Sequence, residues 1–163
     1  MTCQLIPGYR SGVSSDVPWL SAREERLWRS WLRMNAQLLS QMQRELQEDS
    51  GLSLPDFDVL VHLTDDPQGR VRVSDLAEQL TWERSRVSHH VTRMQRRGLV
   101  AREECPDDGR GAFVAVTAAG REAIERAAPH HVRTVRRLVF DVLGESELAG
   151  MEAALAAMRE RLG

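Results

Sequence analysis

The sequence predicts a mainly α-helical chain carrying one small antiparallel β-hairpin, and three observations predict it. Apolar residues recur at three- and four-residue steps over long stretches at both ends of the 163 residues. Two short helical patterns joined by a tight connection lie in the middle. Directly after them, two strand-like runs flank a loop rich in proline, aspartate and glycine. The length is one domain's worth of chain, long enough to bury a core.

Each element follows from local chemistry. Residues 1–20 hold Pro7, Gly8, Ser11, Gly12, Ser14, Ser15 and Pro18 with little periodicity, and read as a mobile N-terminal tail. From 22 to 48, Leu27, Trp31, Met34, Leu38 and Met42 form a helical stripe about 40 Å long at ~1.5 Å per residue. Asp49-Ser50-Gly51 stops it. Ser53, Pro55 and Asp56 open a second helix bearing Phe57, Leu60 and Val61. Residues 65–69 form a turn, and 70–73 alternate like a very short strand. Ser74 is expected to cap a short helix that turns Leu76, Ala77 and Leu80 inward. After Thr81-Trp82-Glu83, a further helix runs over 84–97 and closes at Gly98. The strands are 99–103 and 111–116. Thr117 caps a long helix reaching Val142, with Pro129 as its expected kink. Finally, Leu148, Met151, Leu155, Met158 and Leu162 make a short heptad-like seam.

Composition excludes several classes. All 22 Lys+Arg residues are arginine, which removes Schiff-base lysines and the phosphate-binding P-loop. No apolar run approaches a membrane span, and the N-terminus has neither the basic nor the apolar region of a secretion signal. Cys3 and Cys105 are too few for a disulfide framework, which favours a reducing cytoplasm. No nucleophile elbow, dinucleotide fingerprint or zinc-protease motif is present, so no catalytic residue and no cofactor are expected. The pairs His89-His90 and His130-His131 do not make a metal site. Neighbours on a helix point about 100° apart and chelate one ion poorly.

Net charge misleads until it is divided by position. The whole chain carries -2, yet residues 84–102 hold Arg84, Arg86, Arg93, Arg96, Arg97 and Arg102 without one acidic residue. That element is +6 inside a remainder of -8. A solvating helix would interleave Glu with Arg for i,i+4 pairs, and this one does not. On a helical wheel Val87, Val91 and Met94 share a narrow apolar face. Ser85, His89, Thr92 and Arg96 lie opposite, flanked by Ser88, Arg86 and Arg93. Short hydroxyls permit close approach to a groove, and arginine can bond a guanine edge bidentately or a phosphate. The pattern predicts a winged helix-turn-helix on double-stranded DNA, with this helix as reader. The hairpin is the wing. Its tip bears Arg110, which can enter the minor groove or grip a phosphate, and Asp107 or Asp108 can brace it.

The central residues resemble the MarR family of winged-helix regulators. Ser74 to Leu80 (SDLAEQL), Arg84-Ser85-Arg86-Val87-Ser88 and Gly98-Leu99-Val100-Ala101-Arg102 carry the likeness. So do Asp107-Asp108-Gly109-Arg110-Gly111, the family's wing pattern of Asp, one residue, Arg, and Thr117-Ala118-Ala119-Gly120. Gly109 departs from it, since many members carry a basic residue there.

The resemblance implies a homodimer whose terminal helices interlock, each subunit presenting one winged helix to a palindromic operator. It implies a repressor, released by a small aromatic effector. Ser85, Arg86, Ser88, His89 and Arg93 would then face the major groove and Arg110 the minor groove, with Asp108 bracing it. Trp28, Trp31, Asn35, His62 and His130-His131 lie where the family keeps its effector pocket, though Trp at helical spacing also suits a core or a dimer interface. The domain expected is 21–163, with the winged helix-turn-helix at 53–117 and dimerisation helices at 21–48 and 118–163. Two alternatives remain. One is a winged-helix module for protein contacts, whose outward face would be acidic or apolar. The other is a redox-responsive regulator acting through a cysteine.

Overall fold

A computed structural model describes residues 18–104 and 112–162. The helices are α1 (Ala22–Ser50), α2 (Leu54–Asp65), α3 (Val73–Gln79), α4 (Arg84–Arg96), α5 (Ala118–Leu138) and α6 (Glu145–Leu162). The strands are β1 (Arg70–Arg72), β2 (Val100–Glu104) and β3 (Ala112–Val116). The chain forms two compact units, one ending at Gln37 and the next beginning at Leu38, inside α1. In the first unit, Leu27, Trp28, Trp31, Leu32 and Met34 are exposed along the helix.

The second unit holds the core. α2 begins with a full capping box. The Asp56 N–H donates to Ser53 Oγ at 3.1 Å, and the Ser53 N–H returns a bond to Asp56 Oδ2 at 2.9 Å. The helix then buries Phe57, Val59, Leu60 and Leu63. Against them pack Leu76 and Ala77 of α3, Val87, Val91 and Met94 of α4, Val114 of β3, and Ala123, Ile124 and Ala127 of α5. This one cluster fixes where each surrounding helix lies.

The hairpin acquires a third strand. The sheet order is β1-β3-β2, antiparallel throughout, with Val71 opposite Val114 and Arg102 also opposite Val114 from the other side. Two expected boundaries shift. Ser74 is not the cap of α3, because the chain passes from strand to helix without a loop and Arg72 takes the N-cap position, making no side-chain cap bond. The Ser74 hydroxyl donates instead to Asp75 Oδ1 at 2.8 Å. The long helix expected to reach Val142 ends at Leu138, and Phe140–Val142 form a separate 3-10 turn. The Val-Phe-Asp-Val run there has weak helix propensity. Pro129 lies inside α5 without ending it.

Two close fits hold α5 to the hairpin. Thr117 caps it, accepting from the Gly120 N–H at 3.0 Å while its hydroxyl donates to the Gly98 carbonyl at 2.6 Å. At Gly120 a Cβ would stand 2.0 Å from the Leu99 carbonyl oxygen, so only glycine fits.

Candidate nucleic-acid interface

α4 is amphipathic in the sense its sequence predicts. Val87, Val91 and Met94 are fully buried, while Ser85, Arg86, His89, Arg93 and Arg96 are exposed. Ser88 and Thr92 are half-buried. The Thr92 hydroxyl donates to the Ser88 carbonyl at 2.8 Å, so its proton is already used within the helix. Arg86 lies over the indole of Trp82, its guanidinium carbon 4.1 Å from the ring centroid.

The six arginines of the basic stretch are not equivalent. Arg102, on β2, donates to the Ser88 carbonyl at 2.9 Å and ties the wing strand to α4. Arg97 donates to Asp56 Oδ2 at 2.6 Å and to the Gly51 carbonyl at 2.8 Å, tying the end of α4 to the start of α2. Both are therefore engaged in holding elements together. Arg84 and Arg96 have no partner among the described residues.

Behind the exposed face sits a polar cluster that the sequence reading did not find. His90 is buried, although it follows the exposed His89. Its Nδ1 lies 2.8 Å from Arg93 Nη2. Its Nε2 lies 3.0 Å from Asp56 Oδ1, a pairing distance whose angle falls short of a well-aligned hydrogen bond. Trp82 meets the imidazole edge-on, centroids 5.5 Å apart. Burial by itself would raise the Asp56 carboxyl. The close approach of His90 Nε2 and hydrogen bonds from the Ser53 backbone and Arg97 outweigh that and hold it well below the usual carboxylate range. The signal available in the sequence was the capping-box aspartate: it supplies one oxygen to the cap and keeps another for a partner.

Other expected site residues separate. Arg110, Asp107 and Asp108 lie outside the described residues, as do Cys3 and Cys105. His62 is half-buried, its Nδ1–H donating to the Asp58 carbonyl at 2.8 Å. It also lines an open groove of about 490 Å3 whose walls include Asp65, Asp66, Arg70, Arg72, Asp75 and Phe113. Arg70 and Arg72 both stack on Phe113, at 5.0 and 5.2 Å. Phe113 and His62 are the rings among them, and most of these walls are charged. Trp28 and Trp31 are exposed on the first unit's part of α1. Among the described residues no group of histidine, cysteine and carboxylates is arranged to hold a metal. None of the described helices is long and apolar enough to cross a membrane.

Comparison with known proteins agrees with this geometry. The family model described as "MarR family" matches residues 50–111, from the last residue of α1 through α2, α3, α4 and β2. The chain superposes on AbsC, a MarR family transcriptional regulator of Streptomyces coelicolor, with a TM-score of 0.84 and 39% identity, covering 90% of this chain and 98% of that one. Sco3205, a MarR family regulator from the same organism solved in complex with DNA, has a TM-score of 0.84 and 37% identity, covering 89% and 94%. The HTH-type transcriptional regulator YdgJ of Bacillus subtilis is 24% identical over 99% of this chain and 97% of its own length. With a winged helix-turn-helix built on α3, α4 and the hairpin, and relatives this similar along nearly their whole length, the chain belongs to the MarR family of transcriptional regulators, which are not enzymes.

Proposed function

We propose that this regulator binds duplex DNA sequence-specifically as a homodimer and represses transcription from a palindromic operator. The observation that carries the reading is α4, whose exposed face joins Ser85, Arg86, His89, Arg93 and Arg96 while Val87, Val91 and Met94 anchor its back. An α-helix so furnished fits the major groove, with phosphates and base edges as partners. A relative with 37% identity has been solved in complex with DNA, which supports the same partner here. In this reading residues 53–117 read DNA, with Arg110 at the wing tip braced by Asp107 or Asp108. Residues 21–48 and 118–163 supply the dimer, consistent with the exposed apolar residues Met151, Leu155, Met158 and Leu162 of α6. A small aromatic ligand releases the complex, and the protein acts in the cytoplasm. The cationic face argues against a module made only for protein contacts.

The test is binding to the chain's own upstream DNA over a range of salt. A dimer neutralising six to ten phosphates should lose roughly 10³–10⁵ in affinity between about 50 and 200 mM salt. A flat dependence with no protected footprint contradicts the reading.

A further inference from the structure

We propose that buried His90 is a positioning residue for DNA reading: through its ring, the carboxylate of Asp56 on α2 sets the guanidinium of Arg93 on the exposed face of α4. This rests on the DNA-binding reading above and extends it to a residue that cannot itself touch DNA.

Donors and acceptors fix which way the ring is protonated. A guanidinium has only N–H donors, so at 2.8 Å from Arg93 Nη2 the His90 Nδ1 must present its lone pair. The neutral ring then carries its proton on Nε2, the nitrogen that lies 3.0 Å from Asp56 Oδ1. A proton on Nδ1 would set N–H against N–H and expel Arg93. The carboxylate that selects this tautomer is itself fixed: the Ser53 N–H holds Oδ2 at 2.9 Å, and Arg97 holds the same oxygen at 2.6 Å. Trp82 closes the ring's remaining side, edge to face. Asp56, His90 and the ring contact are all buried or half-buried, so water cannot substitute for a missing partner. Arg93 therefore meets a groove with its head already oriented by α2, and less side-chain freedom is lost on binding. One helix sets the aim of a side chain on another.

Two experiments test this. The first uses the wild-type chain free of DNA: long-range proton–nitrogen NMR of the histidine rings at mildly alkaline pH. His90 should be the Nε2–H tautomer; the Nδ1–H tautomer overturns the proposal. The second starts from a duplex enriched from a random library by the wild-type chain, and measures its affinity relative to a scrambled duplex of the same composition. His90→Gln keeps a donor towards Asp56 but removes the acceptor at Nδ1, and should lower that ratio about tenfold, the size of one weakened base contact. His90→Asn, whose amide oxygen takes the place of Nδ1, should recover most of it. In an Arg93→Ala background His90→Gln should change the ratio less than about twofold, because the two act on one contact. An unchanged ratio in His90→Gln, or the same loss with Arg93 absent, overturns the proposal. If the wild-type chain enriches no duplex, the DNA-binding reading fails first, and the role falls with it even where the tautomer is as expected.

Discussion

At the residue scale, single atoms decide more than residue classes do. Gly120 is the sharpest case, since the Leu99 carbonyl occupies the space a Cβ would need. Gly120→Ala must push α5 away from the hairpin, and a urea titration should show a loss of about 2–4 kcal/mol. Glu45 is a second case. Hydrogen bonds from Thr134, Gln41 and Arg137 hold its pKa down to about 2 against an ordinary 4.5. Arg137 Nη2 sits 2.6 Å from Oε1, and the Thr134 hydroxyl donates to Oε2. A depressed carboxyl stabilises the fold above its unfolded value and loses that contribution as pH falls through the folded one. Glu45→Gln should therefore melt below wild type near neutral pH. The gap in melting temperature should close between about pH 4.5 and pH 2; a gap constant across that window would show that the Glu45 charge contributes nothing. Asp56 is depressed further still, so its own contribution persists to lower pH.

At the element scale, the two helices of the helix-turn-helix end in the same way with different chemistry. α4 closes with Gly98 in the left-handed region at φ 74°, its N–H bonding Gln95 and the Leu99 N–H bonding Met94. α3 closes with the matching pair of bonds, Thr81 to Glu78 and Trp82 to Ala77, but places Thr81 in that region at φ 54°. A β-branched residue is strained there. Thr81→Gly should raise stability by about 1 kcal/mol in a thermal or urea midpoint, while Gly98→Ala should lower it by a similar amount. Only one ending was legible: glycine after Arg97 marked it, whereas nothing about threonine marks a left-handed position. The capping box of α2 and the buried stripe of α4 were legible because they depend on residues close together along one helix. The short strand at 70–73 was legible too, but its place in the sheet was not. Val71 meets Val114 across more than forty residues of chain, and three alternating residues carry no record of their partner.

At the scale of the whole molecule, the exposed apolar residues of α6 are the feature a lone chain leaves unexplained. Met151, Leu155 and Met158 are each more than a third exposed on a helix with no buried residue. Such a surface calls for a partner, and the proposed homodimer would supply one. Leu155→Arg should convert a dimer to monomer in sedimentation at micromolar concentration, and with it abolish tight operator binding; a variant that stays dimeric places the interface elsewhere.

Periodicity, caps and turn residues determined the helices, the wing and the basic face of α4, since each is a short-range property of neighbouring side chains. The separation of +6 from -8 along the chain belongs to the same category. Only the tertiary structure decided which charges are engaged. Arg97 reaches Asp56 across 41 residues, Arg102 crosses from a strand to Ser88, and His90 turns inward beside an exposed His89. The physical reason is that a buried polar group takes whichever partner the packed faces bring to it. Which faces meet is settled by the hydrophobic core as a whole.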